Sequence, residues 1–269
     1  MLKICAGLLT LLAGLAPVVD SPLSTAGVTR LAFGPGEQSV YRIAYFGVSG
    51  GTAQVTVGAD TQQWGKQVWP IVVIARSDPM LSFYPIRDRF VSFWEVGAGR
   101  PIGSDLLADE NHKRRRQRIK LDHESKTASV LKQKEGEQPS EDSYPIEPGS
   151  LDMAAAAFVL RTKPLQVGRT FDLPVFTGHK SFKLRAMVEG TEKLKCPIGE
   201  REVYKVRVQT DFSGKFQSKR DMIGYFATDD SHVLVRIEAD FLLGTLVAEL
   251  TSYQPGRTAA PEPLRGSNP

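Results

Sequence analysis

Hydrophobic and polar residues alternate with a period of two along most of the chain after residue 38. The pattern is clearest over residues 181–188 and 203–212, where apolar side chains occupy every second position. Such alternation is typical of β-strands that are buried on one face only. Glycine, proline and aspartate residues separate the runs, as expected for turns. We therefore predict a mainly β protein of about a dozen antiparallel strands, arranged as a single curved sheet, a roll or an open barrel.

One segment departs from the alternation, between residues 151 and 161. It contains four consecutive alanines, Ala154 to Ala157, and Pro164 follows it closely. Alanine has the highest helix propensity, and proline prevents the helix from continuing. Ser150 is placed to cap the free amides of the first turn, and Asp152 suits the helix dipole. The sequence thus predicts one short central helix of about ten residues, 151–161.

The first 26 residues resemble a secretory signal peptide. Lys3 precedes an uncharged run of about 16 residues, 4–19, which is shorter than the roughly 20 needed to span a bilayer. Ser24 and Ala26 have the spacing that a signal peptidase requires, so we predict cleavage before Gly27. Cleavage after Ala16 and an uncleaved anchor are the alternatives. Cys5 lies within the run rather than after it, which argues against an N-terminal lipoprotein. We expect a periplasmic or otherwise exported protein.

Composition limits the class of protein further. The chain has 269 residues, of which 41% are hydrophobic and 24% charged. These values are typical of a globular protein and exclude a disordered chain or a polytopic membrane protein. We predict a single β-roll domain over residues 27–254. The last 15 residues, 255–269, contain four prolines and are predicted to be a disordered tail.

Motifs for catalysis are weak. Residues 47–51 match the G-x-S-x-G pattern of hydrolases, but a predicted strand follows them instead of the helix that a nucleophile elbow requires. The four histidines are scattered without metal-ligand spacing. We predict no catalytic residue, no metal and no cofactor, and we expect that the protein is not an enzyme. A hydrolase that uses distant carboxylates remains a remote alternative.

The strongest local charge lies in residues 111–134, which contain nine Lys or Arg residues and two acids. If this segment is a strand, alternate basic side chains project from one face at spacings of about 7 Å. This predicted basic patch consists of Arg114, Arg116, Arg118 and Lys120. It could bind phosphates of lipid headgroups or an anionic polysaccharide. The alternative is a solvated outer face that the five acids of residues 135–147 neutralise in a hairpin.

Aromatic residues concentrate between Trp64 and Trp94. Aromatic rings can stack on sugars or enclose acyl chains, but they also fill ordinary β-sheet cores. Ionisable residues lie beside these aromatics, an arrangement more typical of a site or a buried ion pair than of a plain core. The predicted binding site consists of Arg76, Tyr84, Arg87, Asp88 and Trp94.

The order of short motifs resembles the bacterial family known as domain of unknown function 3108. It begins with Gly36-Glu37 and two tyrosines, continues through Ala75-Arg76-Ser77, Phe83-Tyr84 and Arg87-Asp88, and includes Leu160 to Leu165 and Thr228-Asp229-Asp230. The resemblance covers about residues 36–253. It implies an exported, mostly antiparallel β protein with a curved sheet or roll, and it supplies no catalytic residues. The dense arginine row at 114–118 departs from the family pattern.

From these features we expect an exported, non-enzymatic protein that binds a cell-envelope glycan or lipid on the concave face of its sheet. The alternative is an interaction or scaffold protein of an envelope complex, which would use the basic strand 113–120 against an envelope protein or anionic headgroups. Export makes nucleic acid an unsuitable partner.

Overall fold

The structure is a computed structural model that describes residues 32–79, 84–210, 222–241 and 244–257. The predicted signal peptide and its cleavage site lie outside the described residues. So do Phe83 and most of the predicted tail.

Fifteen antiparallel strands form one sheet. Hairpin connections join most strands that follow each other in sequence, because the apolar runs are separated by short turn segments. The strands are β1 (Gln38–Tyr45), β2 (Val48–Val57), β3 (Thr61–Gln63), β4 (Lys66–Ser77), β5 (Arg87–Glu95), β6 (Arg100–Glu110), β7 (Lys113–Asp122), β8 (Thr127–Lys134), β9 (Ser140–Pro145), β10 (Thr170–Phe176), β11 (Ser181–Cys196), β12 (Gly199–Thr210), β13 (Met222–Ala227), β14 (Leu234–Phe241) and β15 (Gly244–Gln254).

The first and last strands meet in the middle of the sheet, where β15 pairs with β1. The spatial order is therefore β10 to β15, then β1, β2 and β4 to β9, with β3 paired to β4. The sheet is curved but not closed, and β9 and β10 form its two edges. This confirms the predicted open, mainly β architecture. The strand count exceeds the predicted dozen because β3 has only three residues and β9 is polar and mostly exposed, so neither shows alternation.

The helix α1 (Met153–Arg161) connects the two edge strands and lies against the concave face. Its position confirms the predicted segment 151–161. It packs with Phe33, Trp69 and Trp94 on one side and with residues of β10 and β11 on the other. Because the helix is buried between the two halves of the sheet, every strand near it can place one apolar face inward.

The predicted helix cap was wrong by two residues. Asp152, not Ser150, is the N-cap, and its Oδ1 accepts a hydrogen bond from the backbone N–H of Ala155 at 2.8 Å. The Ser150 hydroxyl instead donates to the carbonyl of Glu147 at 2.7 Å. Both residue types favour the N-cap position, so residue type does not decide which of the two caps the helix. Leu151 pairs with Val175 of β10, and the helix therefore begins after Leu151, with Asp152 as its cap. Within the described ranges, no helix is long and apolar enough to cross a membrane.

Candidate functional site: an apolar cavity under the sheet

A cavity of about 570 Å³ lies between α1 and the concave face of the sheet. Strands β1, β2, β4 to β6 and β11 to β15 supply its wall, and α1 closes one side. The lining is almost entirely hydrocarbon. Its apolar side chains include Ile43, Ala53, Val55, Val73, Ala75, Phe90, Leu106, Met153, Phe158, Ile237, Leu246 and Ala248.

Small residues on neighbouring strands create the space. Ala53 of β2 pairs directly with Ala75 of β4, and paired residues of an antiparallel sheet place their side chains on the same face. On the other side of the cavity, Ala248 of β15 pairs with Ile43 of β1. Larger side chains at these inward positions would fill the region that the curvature of the sheet leaves beside α1. The cavity is therefore encoded by the choice of alanine at alternate strand positions.

A buried ion pair lies at one end of the cavity, where β1 begins and α1 ends. The guanidinium of Arg161 binds both carboxylate oxygens of Glu37, at 2.6 and 3.0 Å, and both side chains are 4% exposed. Arg161 also donates to the carbonyls of Ala32 and Ser231. The rings of Phe33 and Phe158 lie against the same guanidinium. The polar groups of this pair therefore have their partners within the protein. The pair closes this end of the cavity and joins three distant segments of the chain.

A second buried polar contact lies at the start of α1. The hydroxyl of Ser92 donates to Oδ2 of Asp152 at 2.6 Å, beside the capping bond to Ala155. Burial raises the pKa of Asp152 to about 6, although both hydrogen bonds favour the charged form. The folded protein therefore retains a proton on Asp152 at pH values at which the unfolded chain has lost it.

Replacement of Asp152 by Asn should flatten the dependence of stability on pH. A raised carboxyl pKa means that the folded state binds more protons than the unfolded state between about pH 4 and 6. Stability that is present below pH 4 is therefore lost as the pH rises through this window. Asn can cap the helix as well as Asp does. We expect D152N to gain up to about 2 to 3 kcal/mol over the wild type at pH 7, and little at pH 4. Urea unfolding at both values measures this, and an equal difference at the two values would contradict it.

The other end of the cavity is its mouth. The β1–β2 hairpin, the end of β4 and the start of β5 border it, with Tyr45, Phe46, Val48, Ser77 and Tyr84 in its lining. Asp88 lies on the wall near this end, and its Oδ1 accepts a hydrogen bond from the backbone N–H of Asp109. Burial, followed by the charge of Glu110, raises the pKa of Asp88 to about 6. The mouth is thus more polar than the interior of the cavity.

The structure separates the five residues of the predicted binding site. Tyr84 and Asp88 line the cavity near its mouth, and Arg76 borders the same region. Arg87 is exposed on the opposite face, because it alternates with the buried Asp88. Trp94 is 1% exposed and packs edge-on against Phe33 at 5.3 Å, within the core beside α1. The structure therefore does not bring Trp94 and Arg87 together with Asp88, since Trp94 packs in the core and Arg87 is exposed to solvent.

The predicted basic patch lies on the outer face of β7, as its alternation indicated. The acidic residues that pair with this patch are not those of residues 135–147 that the sequence offered as an alternative. Asp105 of the preceding strand β6 binds Arg116 at 2.7 Å and Arg118 at 3.1 Å, and Asp109 lies 3.5 Å from Arg114. Asp105 and Arg118 face each other in the β6–β7 register. The acids of residues 135–147 instead contact mainly Lys132 and Lys134, so three of the four basic residues have partners on the neighbouring strand.

The glycine-rich motif at residues 47–51 is a hairpin, as predicted. Phe46 and Gly47 form the turn between β1 and β2, and Ser49 lies in β2, where its hydroxyl hydrogen-bonds Asp78. Across the parts of the chain that the structure describes, no group of three His, Cys, Asp or Glu residues could hold a metal ion.

The helix and the sheet thus define an open antiparallel β-roll with an internal apolar cavity. The sequence profile of the family DUF3108, described as a protein family of unknown function, matches residues 40–251. The chain belongs to this family. No curated protein sequence matches it.

Three solved structures are similar to the chain. A β-barrel-like protein of the DUF1849 family from Brucella abortus superposes with a TM-score of 0.56 at 10% identity, covering 83% of this chain and 98% of that one. A candidate lipoprotein from Parabacteroides distasonis gives a TM-score of 0.35 at 11% identity, covering 85% and 100%. A Bacteroides fragilis protein with a YmcC-like fold, described as a candidate exported protein, gives 0.32 at 13%, covering 82% and 98%. The first of these shares the β-barrel-like fold.

Proposed function

We propose that the protein is an exported, non-enzymatic carrier or receptor that binds the hydrocarbon chain of an envelope lipid in the cavity between α1 and the sheet. The observation that carries the proposal is the cavity itself, with a volume of about 570 Å³ and an almost wholly apolar lining. Ligand sites in proteins have volumes of roughly 300 to 1,000 Å³. The sequence pattern of residues 1–26 supports export to the compartment where such lipids occur.

The lining favours a lipid chain over a glycan. Each sugar hydroxyl that enters an apolar cavity loses its hydrogen bonds to water, and an unpaired polar group costs roughly 1 to 3 kcal/mol. The cavity wall offers few polar partners, because Arg161 and Glu37 bind each other and Asp88 is bound to a backbone amide. Methylene groups lose nothing on entry, and each contributes about 0.8 kcal/mol.

The polar groups of the cavity support binding rather than catalysis. Arg161 and Glu37 have short contacts within the protein that join separate elements of the fold. The scaffold alternative draws less support, because Arg114, Arg116 and Arg118 already have acidic partners on β6.

Affinity for fatty acids should rise with chain length. Competition against a fluorescent fatty acid, with unlabelled acids of about 8 to 18 carbons, measures this directly. At about 0.8 kcal/mol per methylene, we expect roughly a fourfold gain for each added carbon until the chain fills the cavity, and then a plateau. Soluble oligosaccharides at the same concentrations serve as the control and should not compete. Affinity that is independent of chain length, or displacement of the probe by oligosaccharides, would contradict the proposal.

A further inference from the structure

The apolar lining of the cavity continues onto the outside of the protein at the tip of the β1–β2 hairpin. Phe46 and Val48 border the mouth, and they are 63% and 59% exposed. The Phe46 ring contacts Tyr45 and covers Gly244, where an added Cβ would lie 2.5 Å from the ring. The ring therefore has a fixed place beside the mouth, supported by neighbouring strands.

Phe46 is also an unusual residue for its backbone. Its φ of 54° lies in the left-handed region, where Asn and Asp are enriched and a bulky side chain is an outlier. Two-residue hairpin turns of this kind prefer Asn-Gly or Asp-Gly. A phenylalanine here both strains the turn and exposes a large apolar side chain, so folding does not explain its presence.

Three arginines without acidic partners lie on the outer face next to this tip. Arg76 of β4 pairs directly with Arg87 of β5, and Arg89 follows two positions further along the same face. All three are exposed. Throughout the ranges that the structure describes, none of their guanidinium groups takes part in an ion pair. Like charges that face each other across a ladder are destabilising. An anionic partner would remove this cost. The arginines of β7, in contrast, already form ion pairs with acidic residues of β6.

The arginines and the hairpin tip lie at the same end of the sheet. The end of β4 runs beside the start of β2, where the backbone N–H of Asp78 donates to the carbonyl of Gly50 at 3.1 Å. In the β2–β4 register, Arg76 pairs with Thr52, only four residues beyond Val48. An apolar tip, a cationic face and the mouth of the cavity therefore adjoin one another.

We propose that this docking face (Phe46, Val48, Arg76, Arg87 and Arg89) binds the surface of an anionic lipid bilayer. Phe46 and Val48 enter the boundary between headgroups and acyl chains, and the three arginines bind lipid phosphates. The contact brings the cavity mouth against the membrane, where a lipid chain can enter or leave. The inference rests on the proposed function, because it assigns the source of the lipid that the cavity takes.

Flotation with vesicles tests the docking face. The full chain, expressed with its own leader and purified, is mixed with phosphatidylcholine vesicles that contain either no phosphatidylglycerol or about 30% of it. We expect binding to the anionic vesicles only, with affinity that falls as salt rises. The variant R76Q/R87Q/R89Q should bind about 100-fold more weakly, since each basic residue near such a surface contributes roughly fivefold. F46S/V48S should also lose binding, at low as well as high salt.

The matched control is R114Q/R116Q/R118Q, which removes three arginines that already have partners. It should retain most of the binding. If this control loses as much as R76Q/R87Q/R89Q does, or if the wild type shows no preference for anionic vesicles, the docking face is wrong. The variant R87Q/R89Q, whose two arginines lie outside the cavity lining, is added to the vesicle series and should bind about 25-fold more weakly than the wild type. Its binding of a fluorescent fatty acid in solution, without vesicles, should not change. A wild type that binds the fatty acid but does not bind the anionic vesicles overturns only the docking face, whereas a wild type that binds no fatty acid overturns the proposed function.

Discussion

Replacing Ala53 and Ala75 by phenylalanine should reduce the affinity for a fluorescent fatty acid by about 100-fold. The two residues face each other across β2 and β4, and both side chains point into the cavity. Two rings at these positions would occupy space that about three to four methylenes of a ligand would use. At about 0.8 kcal/mol each, this loss corresponds to roughly 100-fold. Titration of the A53F/A75F variant with the probe measures the effect.

The control for this double variant is T52F, which lies on β2 next to Ala53. Thr52 is exposed and alternates with Ala53, so its side chain projects from the outer face. An added ring there leaves the cavity unchanged, and the affinity should stay near that of the wild type. A53F/A75F should unfold at about the wild-type temperature, because its rings enter open apolar space rather than a packed core. If the folded double variant binds the probe as tightly as T52F does, the cavity is not the binding site.

The substitution R161M should be the most destabilising single change among the charged residues discussed above. It leaves the Glu37 carboxylate buried without its partner and removes the donors to the carbonyls of Ala32 and Ser231. Breaking a buried ion pair in this way costs about 3 to 5 kcal/mol of unfolding free energy. Equilibrium unfolding in urea gives the value.

Two further variants separate burial from charge. Arg185 forms a comparable two-point contact with Asp172, but both side chains are about one-third exposed. R185M should cost less than about 1 kcal/mol. The double variant E37L/R161M should recover part of the loss of R161M, because it leaves no unpaired charge in the interior. Equal costs for R161M and R185M would show that the Arg161–Glu37 pair does not join the segments as described.

The alternation of apolar residues was sufficient to predict the open antiparallel sheet, because a period of two specifies which side chains share a face. It could not distinguish core from cavity. Phe90 and Trp94 occupy the same inward phase of β5, but Phe90 lines the cavity while Trp94 packs in the core with Phe33. The difference depends on where α1 lies against the sheet, which no local pattern specifies.

Long-range pairs were the other information missing from the sequence. Arg161 and Glu37 are separated by 124 positions. Each lies in one of the short motifs of the family resemblance, but neither motif indicates that the two residues pair with each other. Similarly, the pairing of Arg116 and Arg118 with Asp105 follows from the β6–β7 register rather than from charge counts along the chain. Alternation predicts which face of each strand is buried, but tertiary packing determines which charged residues contact each other.

The most direct test of lipid binding in the cavity is native mass spectrometry of the wild type and A53F/A75F, each purified gently from the bacterial envelope and then incubated with total envelope lipid. We predict that the wild type carries an excess mass equal to that of one lipid, which releases fatty acyl chains on hydrolysis, and that A53F/A75F has the mass of the polypeptide alone. A wild type that stays at the mass of the polypeptide after incubation, or the same adduct on both proteins, would contradict a lipid-binding cavity.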